Sequence, residues 1–302
     1  MALKGKKNRT MTAAFIGLGG VLLIWGMVPI FLKKLLSVLT PLELTFTRFF
    51  SAGVLYLVFV LLKKRAELAQ MLREDFRLVA LVTLFGPVTA MLSHNLAIVH
   101  VTVGTAAVFV AIEPVIVYFI AAAAGQEKWM AGRMTSILIS MAGVVMVILS
   151  GEEWGASYWT GLAFAALTPG IWAVNVILSK EIVARHSPAV LMSVPFFAGS
   201  VCLSPALSGD YLDALANMGP GLWLAMGFCV IPGMIYGFSM WYWCLRHMKP
   251  STISTSLYVM PVVTASGGVA LLGEPMSWVK GGGIAVTLLG LYLINTRYGR
   301  ET

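Results

Sequence analysis

The sequence predicts an all-α integral membrane protein whose ten transmembrane helices form two inverted five-helix repeats around a central cavity. Three observations lead to this fold class. Of 302 residues, 59% are hydrophobic and only 11% are charged, whereas soluble globular proteins have about 45–50% apolar and about 25% charged residues. The apolar residues gather in runs of about 20, the length of a helix that crosses a bilayer. The sequence also matches itself at a constant offset of 147 positions.

The apolar runs predict ten spans, joined by loops too short to hold a soluble domain. In chain order the spans are residues 12–32, 41–62, 78–99, 101–124, 131–150, 158–179, 188–207, 221–244, 251–272 and 279–296. The basic segment MALKGKKNRT precedes the first span. The hydrophobic core of a signal peptide has about 7–15 residues, and the first span is longer than that. No small-residue cleavage site follows it. We therefore expect it to be retained as a membrane span.

The positions of Lys and Arg predict the orientation, because cytoplasmic loops of membrane proteins are enriched in these residues. With a cytoplasmic N-terminus, seventeen of the 21 Lys and Arg residues fall on the inner side. Lys33, Lys34 and Lys280 fall on the outer side, and Arg48 lies inside the second span. Both termini are then cytoplasmic, in a bacterial-type inner membrane. The net charge of +8 follows from this excess and requires no nucleic-acid partner; the expected partners are the lipid bilayer and a small-molecule substrate.

The internal match divides the chain into two homologous halves, residues 10–150 and 157–297. Matched pairs include Trp25/Trp172, Lys33/Lys180, Pro41/Pro188, Phe49/Phe196, Pro114/Pro261, Glu127/Glu274 and Gly143/Gly290. Each half holds five spans, an odd number, and the second half must therefore enter the membrane with opposite polarity. Inverted repeats recur in secondary transporters, where they provide states open to either side. The alternative is a duplication that merely built a stable bundle.

Several motifs carry a family resemblance. They are LIWGMVPIFLKK with GIWAVNVILSK, LTPLELTFTRFFSAG with HSPAVLMSVPFFAG, and GTAAVFVAIEPVIVYFIAAAAGQEKW with STISTSLYVMPVVTASGGVALLGEPMSW. On these motifs the chain resembles the drug/metabolite transporter superfamily in its ten-helix form, made of two EamA-type domains. The resemblance implies a basket of helices around a central cavity and export of small metabolites; the chain looks most similar to amino-acid exporters, especially of aromatic ones. The alternatives are efflux of drugs or toxic compounds by the same fold, and a membrane-embedded sensor or enzyme.

The fourth span holds Glu113 near its middle, followed at once by Pro114. A carboxylate at the bilayer centre is costly and normally faces the bundle interior or water. Pro114 removes a backbone donor, as does Pro261 in the ninth span, and broken backbone at membrane depth is tolerated only where it lines a cavity or is covered by protein. We expect both spans to be interrupted helices at a midplane site, with the two prolines as kink points for gating.

The role of Glu113 has several interpretations. Arg48 lies at a compatible depth, about 8 Å away at about 1.5 Å per residue, which favours a buried structural ion pair between the two side chains. Glu113 could instead contact the ammonium group of a substrate or take up a proton. A carboxylate that meets only backbone donors is the remaining alternative.

The other substrate-binding candidates are aromatic or polar residues near span centres, four of which form two pairs at the offset of 147, Trp25 with Trp172 and His94 with Trp241. They are Trp25, His94, Asn95, Trp172, Trp241 and Tyr258. Because lipid-facing Trp prefers the membrane interfaces, Trp pairs near span centres indicate a cavity wall suited to a substrate with an apolar or aromatic body. Packing between helices is the alternative for each residue.

The sequence gives no sign of a cofactor, a metal site or a catalytic set. Walker A, HExxH and GxSxG motifs are missing from it, which excludes ATP bound to this chain as the energy source and disfavours an enzyme. Cys202, Cys229 and Cys244 all fall within spans without ligand spacing. Arg48 is the one cation within the central spans, which disfavours phosphorylated substrates. A monomer and a weak dimer both remain open, as do the exact substrate, proton coupling and the direction of transport.

The predicted orientation can be tested by cysteine labelling. Single cysteines near Glu152 and Asp210 should react with a membrane-impermeant maleimide on intact cells, because these positions lie on the outer side. Cysteines near Lys64 and Arg185 should react only after permeabilisation. The reverse labelling pattern would overturn the orientation.

Overall fold

The computed structural model describes residues 2–110, 112–123, 131–149, 155–248 and 253–298. Within these ranges, side chains are described from residue 14 to residue 293, apart from those at 121, 131–134, 148–149, 255, 258 and 291. The regular structure of the described residues is entirely helical, which confirms the all-α prediction.

Most of the helices are apolar and lie between short connections. In chain order the α-helices are α1 (Ala2–Leu35), α2 (Pro41–Lys63), α3 (Arg65–Glu74), α4 (Phe76–Leu84), α5 (Pro87–His100), α6 (Val103–Val110), α7 (Glu113–Ala123), α8 (Ala131–Leu149), α9 (Ala156–Arg185), α10 (Pro188–Val201), α11 (Tyr211–Ala216), α12 (Pro220–Val230), α13 (Gly237–His247), α14 (Met260–Leu272) and α15 (Trp278–Tyr298). Two 3₁₀-helices, Ser204–Ala206 and Thr255–Val259, and one π-helix, Ile231–Tyr236, are also present.

Seven helical segments of the described chain are long and apolar enough to cross a membrane. They are Ala14–Leu35, Pro41–Lys63, Phe76–His100, Val103–Ile120, Ala156–Arg185, Pro188–Ala206 and Pro220–His247. These segments fall on the first four predicted spans and on the sixth, seventh and eighth. The shorter apolar helices Thr135–Val147 and Met260–Leu272 fall on the fifth and ninth, and α15 falls on the tenth. The total of ten crossings stays a prediction.

Local sequence determines where α2 begins. Pro41 occupies the first turn, where a missing N–H removes no helical hydrogen bond. The Glu43 N–H donates to Thr40 Oγ1 at 3.3 Å, and the Thr40 N–H donates to Glu43 Oε2 at 2.9 Å, which together form a capping box. The Ser208 hydroxyl also donates to Glu43. The cap therefore ties the start of α2 to the segment between α10 and α11.

Two lysines satisfy backbone carbonyls at helix ends in the same way. Lys33 and Lys180 are 147 positions apart, and each ammonium group donates to two carbonyls at the C-terminal end of another helix. The acceptors are Ile98 and Val101 at the end of α5, and Leu245 and Met248 at the end of α13. The last carbonyls of a helix lack partners within it and carry the negative end of its dipole. A lysine ammonium group at this place donates hydrogen bonds to the unpaired carbonyls and puts a positive charge beside the negative end of the dipole.

Helices α2 and α10 pack through aromatic pairs that also obey the offset. The ring centroids of Phe49 and Phe196 lie 4.9 Å apart in an edge-to-face arrangement, and those of Phe50 and Phe197 lie 5.7 Å apart. A Cβ atom at Gly53 would lie 2.6 Å from the Phe197 nitrogen. The glycine therefore allows the two backbones to approach closely.

Helices α8 and α15 make a second close contact. The hydroxyl groups of Ser140 and Thr287 each donate to the carbonyl of the other residue, both at 3.4 Å. A Cβ atom at Gly290 would lie 2.5 Å from the Ser140 nitrogen, and one at Gly143 would lie 2.6 Å from the Gly283 carbonyl oxygen. Glycine at these positions is required by the backbone-to-backbone approach.

Polar contacts join α3 and the α3–α4 junction to the connection between α9 and α10. Asp75 accepts from Arg185 Nη2 at 2.6 Å and lies 3.0 Å from His186 Nε2. Glu67 accepts from the Ser187 N–H. Burial opposes ionisation of Glu67, but hydrogen bonds from Ser187 and Lys64 outweigh that effect and hold the pKa of its carboxyl below the usual value.

The α8–α15 contact predicts that Gly290→Ala lowers the free energy of unfolding by about 1–3 kcal/mol, because the added methyl overlaps the backbone of α8. Thermal unfolding of the detergent-solubilised protein, followed by fluorescence-detected size exclusion, measures the effect. Gly227→Ala in α12 is the matched control, since a Cβ there meets nothing within 4 Å and Ala favours a helix over Gly. Equal melting temperatures for the two variants would contradict the close packing.

Candidate functional site

A cavity between the helices collects most of the residues predicted for the site. Side chains from α1, α2, α5, α6, α7, α9, α13 and α14 contribute to its lining. The predicted residues that line it are Trp25, Arg48, His94, Glu113, Trp172 and Trp241. The free space among the side chains is about 70 Å³, whereas small-molecule sites have about 300–1,000 Å³. The cavity has room for a few water molecules, and its walls must separate before a small-molecule ligand of ordinary size can enter.

Aromatic rings form a large part of the wall. The centroid of Phe238 lies 5.2 Å from that of Trp25 and 5.8 Å from that of Trp172, the second pair stacked with 24° between the planes. Trp25 and Trp241 lie 5.3 Å apart. The rings come from α1, α9 and α13, and their faces suit a ligand with an apolar or aromatic body.

The backbone between α12 and α13 fixes the position of Trp25. Its Nε1 donates to the Gly233 carbonyl at 2.7 Å. Gly233 belongs to the π-helix Ile231–Tyr236, and π-turns displace backbone groups from the regular helical ladder. A Cβ atom at Gly237 would overlap the indole nitrogen of Trp25. The indole therefore occupies space that the lack of a side chain at position 237 leaves open.

Several polar atoms at the cavity have no hydrogen-bond partner among the residues that the structure describes. They are Nε and Nη1 of Arg48, Nδ1 of His94 and Nε1 of Trp241. Arg48 is 3% exposed, His94 5% and Trp241 2%. Because nearly all buried polar groups in folded proteins are paired, these unpaired atoms are candidates for hydrogen bonds to a polar ligand in the cavity.

The expected ion pair between Arg48 and Glu113 is not formed. Both side chains line the cavity, but the ion pairs of the described chain join other residues. Glu113 Oε1 accepts from Ser254 Oγ at 3.3 Å, and the guanidinium carbon of Arg48 lies 6.0 Å from the centre of the Phe49 ring. A compatible depth along two helices does not fix the direction in which each side chain leaves its helix.

The two prolines lie at the starts of short helices. Helix α6 ends at Val110 and α7 begins at Glu113, which places Pro114 in the first turn of α7. Pro261 lies in the first turn of α14, directly after the 3₁₀-helix Thr255–Val259. Glu113 is thus at a helix N-terminus, where the positive end of the helix dipole stabilises a carboxylate.

One predicted substrate-binding residue, Asn95, does not line the cavity. Asn95 is fully buried, but its amide donates to Thr45 Oγ1 at 2.9 Å and joins α5 to α2. Neighbouring residues of a helix point about 100° apart, and Asn95 is therefore turned away when His94 faces the cavity. The side chain of Tyr258 lies outside the described residues.

Sequence reasoning missed apolar residues of the lining, among them Met91 and Phe238. An apolar side chain in an apolar span carries no signal of its own. Met91 and Phe238 are 147 positions apart, but a Met opposite a Phe is not a match that the internal offset could single out. Within the described residues, His, Cys, Asp and Glu side chains form no group of three suited to holding a metal ion.

The sequence model of the EamA-like transporter family matches residues 11–149 and again residues 159–296. The chain belongs to the EamA-like transporter family. It is therefore a transporter, and the resemblance to the drug/metabolite transporter superfamily is confirmed.

Curated relatives of this EamA-family transporter share about a quarter of its residues. An "Uncharacterized transporter" of Archaeoglobus fulgidus is 26% identical over 272 residues, which cover 89% of this chain and 94% of the relative. The "Uncharacterized inner membrane transporter YedA" of Escherichia coli (strain K12) is 25% identical over 296 residues, covering 95% and 92%. The "Probable terminal-alkyne amino-acid exporter" of Streptantibioticus cattleyicolor is 26% identical over 233 residues, covering 74% of each chain.

The fold of the transporter is also found among solved structures. One crystal structure matches it with a TM-score of 0.68 and covers 96% of this chain and 99% of its own. The two sequences are 17% identical, and the likeness therefore shows a shared fold alone.

The aromatic wall predicts that Trp172→Ala reduces transport strongly while the protein still inserts and purifies as a monodisperse species. If Trp172 contacts the substrate, removal of its indole should slow transport, and the remaining rings of the cavity should keep the helices assembled. Flux in proteoliposomes measures the effect. Trp223→Ala is the matched control, because Trp223 is 46% exposed on α12 and is not part of the cavity lining. Equal flux in both variants would remove Trp172 from the site.

Proposed function

We propose that this EamA-family transporter exports small amphipathic metabolites, with apolar and aromatic amino acids as the favoured cargo. The observation that carries the proposal is the composition of the cavity. Indole and phenyl rings wall it, and Arg48 and Glu113, buried charges of opposite sign, face it. The rings suit an apolar body and the charges suit a polar head group. A relative named as an amino-acid exporter, 26% identical, supports both the cargo class and the outward direction.

We also propose that the halves 10–150 and 157–297 are inverted repeats of five crossings each. Contacts that recur at the offset of 147 support this arrangement. The lysine caps repeat at Lys33 and Lys180, and Ser140 and Thr287 bond to each other reciprocally. An odd number of crossings in each half gives the two halves opposite polarity in the membrane. The excess of Lys and Arg on alternate loops supports cytoplasmic termini, and YedA of Escherichia coli is named as an inner membrane transporter.

Alternating access would follow from the broken helices. The free space of about 70 Å³ must grow for a substrate to enter, and some helices must therefore change their angles. The ends of α6 and α7 meet beside Pro114, and α14 begins beside Pro261. Short helices that begin at such breaks can tilt without losing their internal hydrogen bonds. These two prolines are the proposed hinges.

Efflux of apolar drugs is the second candidate, because most lining residues of the cavity are apolar. An uncharged drug would contact the aromatic rings but would leave the charges of Arg48 and Glu113 without partners. The two candidates therefore differ in the head group that the substrate must carry.

Purified protein in proteoliposomes tests the proposed function. Radiolabelled phenylalanine should cross faster than in protein-free liposomes and should exchange with unlabelled phenylalanine loaded inside, because both directions use one cavity. Imposing a pH gradient then distinguishes proton-coupled flux, which the gradient accelerates, from facilitated diffusion, which it leaves unchanged. Absence of flux for phenylalanine, tryptophan and leucine, together with flux of an uncharged drug, would overturn the amino-acid proposal in favour of drug efflux.

A further inference from the structure

Arg48 differs from the other buried charged residues of the described chain. Glu43, Asp75 and Lys280 are also buried, but each has a polar partner that structural packing supplies: the Thr40 N–H, the Arg185 guanidinium and the Thr102 hydroxyl respectively. Arg48, 3% exposed, has two guanidinium nitrogens without a hydrogen-bond partner in the described part of the chain. A structural role would leave such a group paired, because an unpaired buried charge is strongly destabilising.

Glu113 is the opposite charge at the same cavity. It is 2% exposed, and Ser254 donates a hydrogen bond of 3.3 Å to its Oε1. This is the one side-chain donor to Glu113 among the described residues, and the two oxygens of a carboxylate offer about four acceptor positions. The cavity therefore presents a cation and an anion that are not in ion-pair contact, each with free hydrogen-bonding capacity.

We propose that Arg48 and Glu113 are the two poles of a receptor for a zwitterion, with Arg48 binding the α-carboxylate and Glu113 the α-ammonium group of an amino acid. The assignment rests on the proposed function, in which amino acids pass through this cavity. The planar guanidinium group carries donors in a fork that matches the two oxygens of a carboxylate. A carboxylate of the protein is the complementary acceptor for an ammonium group.

The apolar remainder of the ligand lies against the rings of Trp25, Trp172 and Trp241. These residues come from α1, α9 and α13, whereas Arg48 and Glu113 come from α2 and α7. Recognition of the head group and of the side chain is thereby assigned to different helices. The head-group contacts select the amino acid class, and the aromatic wall selects apolar and aromatic members of that class.

A ligand that carries only one of the two charges leaves the other pole buried and unpaired. Sites built to hydrogen-bond a substrate group reject analogues that lack the group, because their own polar atoms then lose a partner. The receptor should therefore bind phenylalanine more tightly than phenethylamine, which lacks the carboxylate, and more tightly than 3-phenylpropionate, which lacks the ammonium group. We expect each analogue to bind about 30-fold more weakly or worse, from the usual loss when one partner of a buried charge pair is removed.

Equilibrium binding of radiolabelled phenylalanine to the purified full chain in detergent, competed by each analogue, tests the proposal without any substitution. Two variants then assign the poles. Arg48→Gln should weaken phenylalanine binding while leaving phenethylamine binding nearly unchanged, because the amine makes no use of the guanidinium group. Glu113→Gln should weaken phenylalanine binding while leaving 3-phenylpropionate binding nearly unchanged. Arg77→Gln and Glu181→Gln are matched controls that remove exposed charges outside the cavity and should bind all three ligands like the unaltered protein.

The outcomes separate this assignment from the proposed function. Binding of phenylalanine and both analogues with similar affinity, combined with phenylalanine flux in proteoliposomes, overturns the two-pole receptor and leaves amino-acid transport standing. If the unaltered protein neither binds nor transports any amino acid tested, both the two-pole receptor and amino-acid transport are overturned. If Arg48→Gln does not fold, Arg48→Lys replaces it, since lysine keeps the charge but loses the fork. Unchanged phenylalanine affinity in the lysine variant and in Glu113→Gln would also sink the assignment.

Discussion

Within the hydrocarbon layer of a membrane, a backbone group that loses its partner in the helix must find another inside the protein. This fold meets that constraint with side chains from neighbouring helices. Inside the bundle Thr264 donates to the Gly26 carbonyl and Trp25 donates to the Gly233 carbonyl, and at the predicted membrane faces Lys33 and Lys180 cover carbonyls at the ends of α5 and α13. Each such bond joins elements that are far apart in the chain. Hydrogen bonds that satisfy backbone carbonyls therefore also fix how the helices are arranged.

The same constraint explains why the breaks and the cavity coincide. The ends of α6 and α7 meet where Glu113 faces the cavity, and α14 begins beside the cavity-lining residue Met260. A helix N-terminus brings unpaired N–H groups and a positive dipole end, both compatible with a carboxylate. An unbroken fourth helix would have placed Glu113 in mid-helix without that support. The break between α6 and α7 therefore explains both the local backbone geometry and the placement of a carboxylate at the cavity.

Sequence reasoning predicted the helical class, seven of the spans and the meeting of Trp25, His94, Trp172 and Trp241 at one cavity, because each rests on periodicity, length or the internal offset. It was wrong where a direction around a helix was needed. Depth alone placed Glu113 beside Arg48, and position near a span centre alone placed Asn95 at the cavity. Apolar lining residues gave no signal, since composition cannot separate a ring that faces a cavity from one that faces lipid. The direction in which a side chain leaves its helix depends on how that helix packs against several neighbours at once. It can therefore be determined only from the folded structure.

The contact between Trp25 and Gly237 has a consequence for the evolution of the family. The indole nitrogen occupies the space that any side chain at position 237 would fill, and the two positions cannot change independently. A descendant that acquired alanine at 237 would displace the indole and reshape the aromatic wall, whereas one that first replaced Trp25 by a smaller residue would be free to accept alanine. We expect these two sites to covary among relatives, so that a change of cargo follows a fixed order of substitutions.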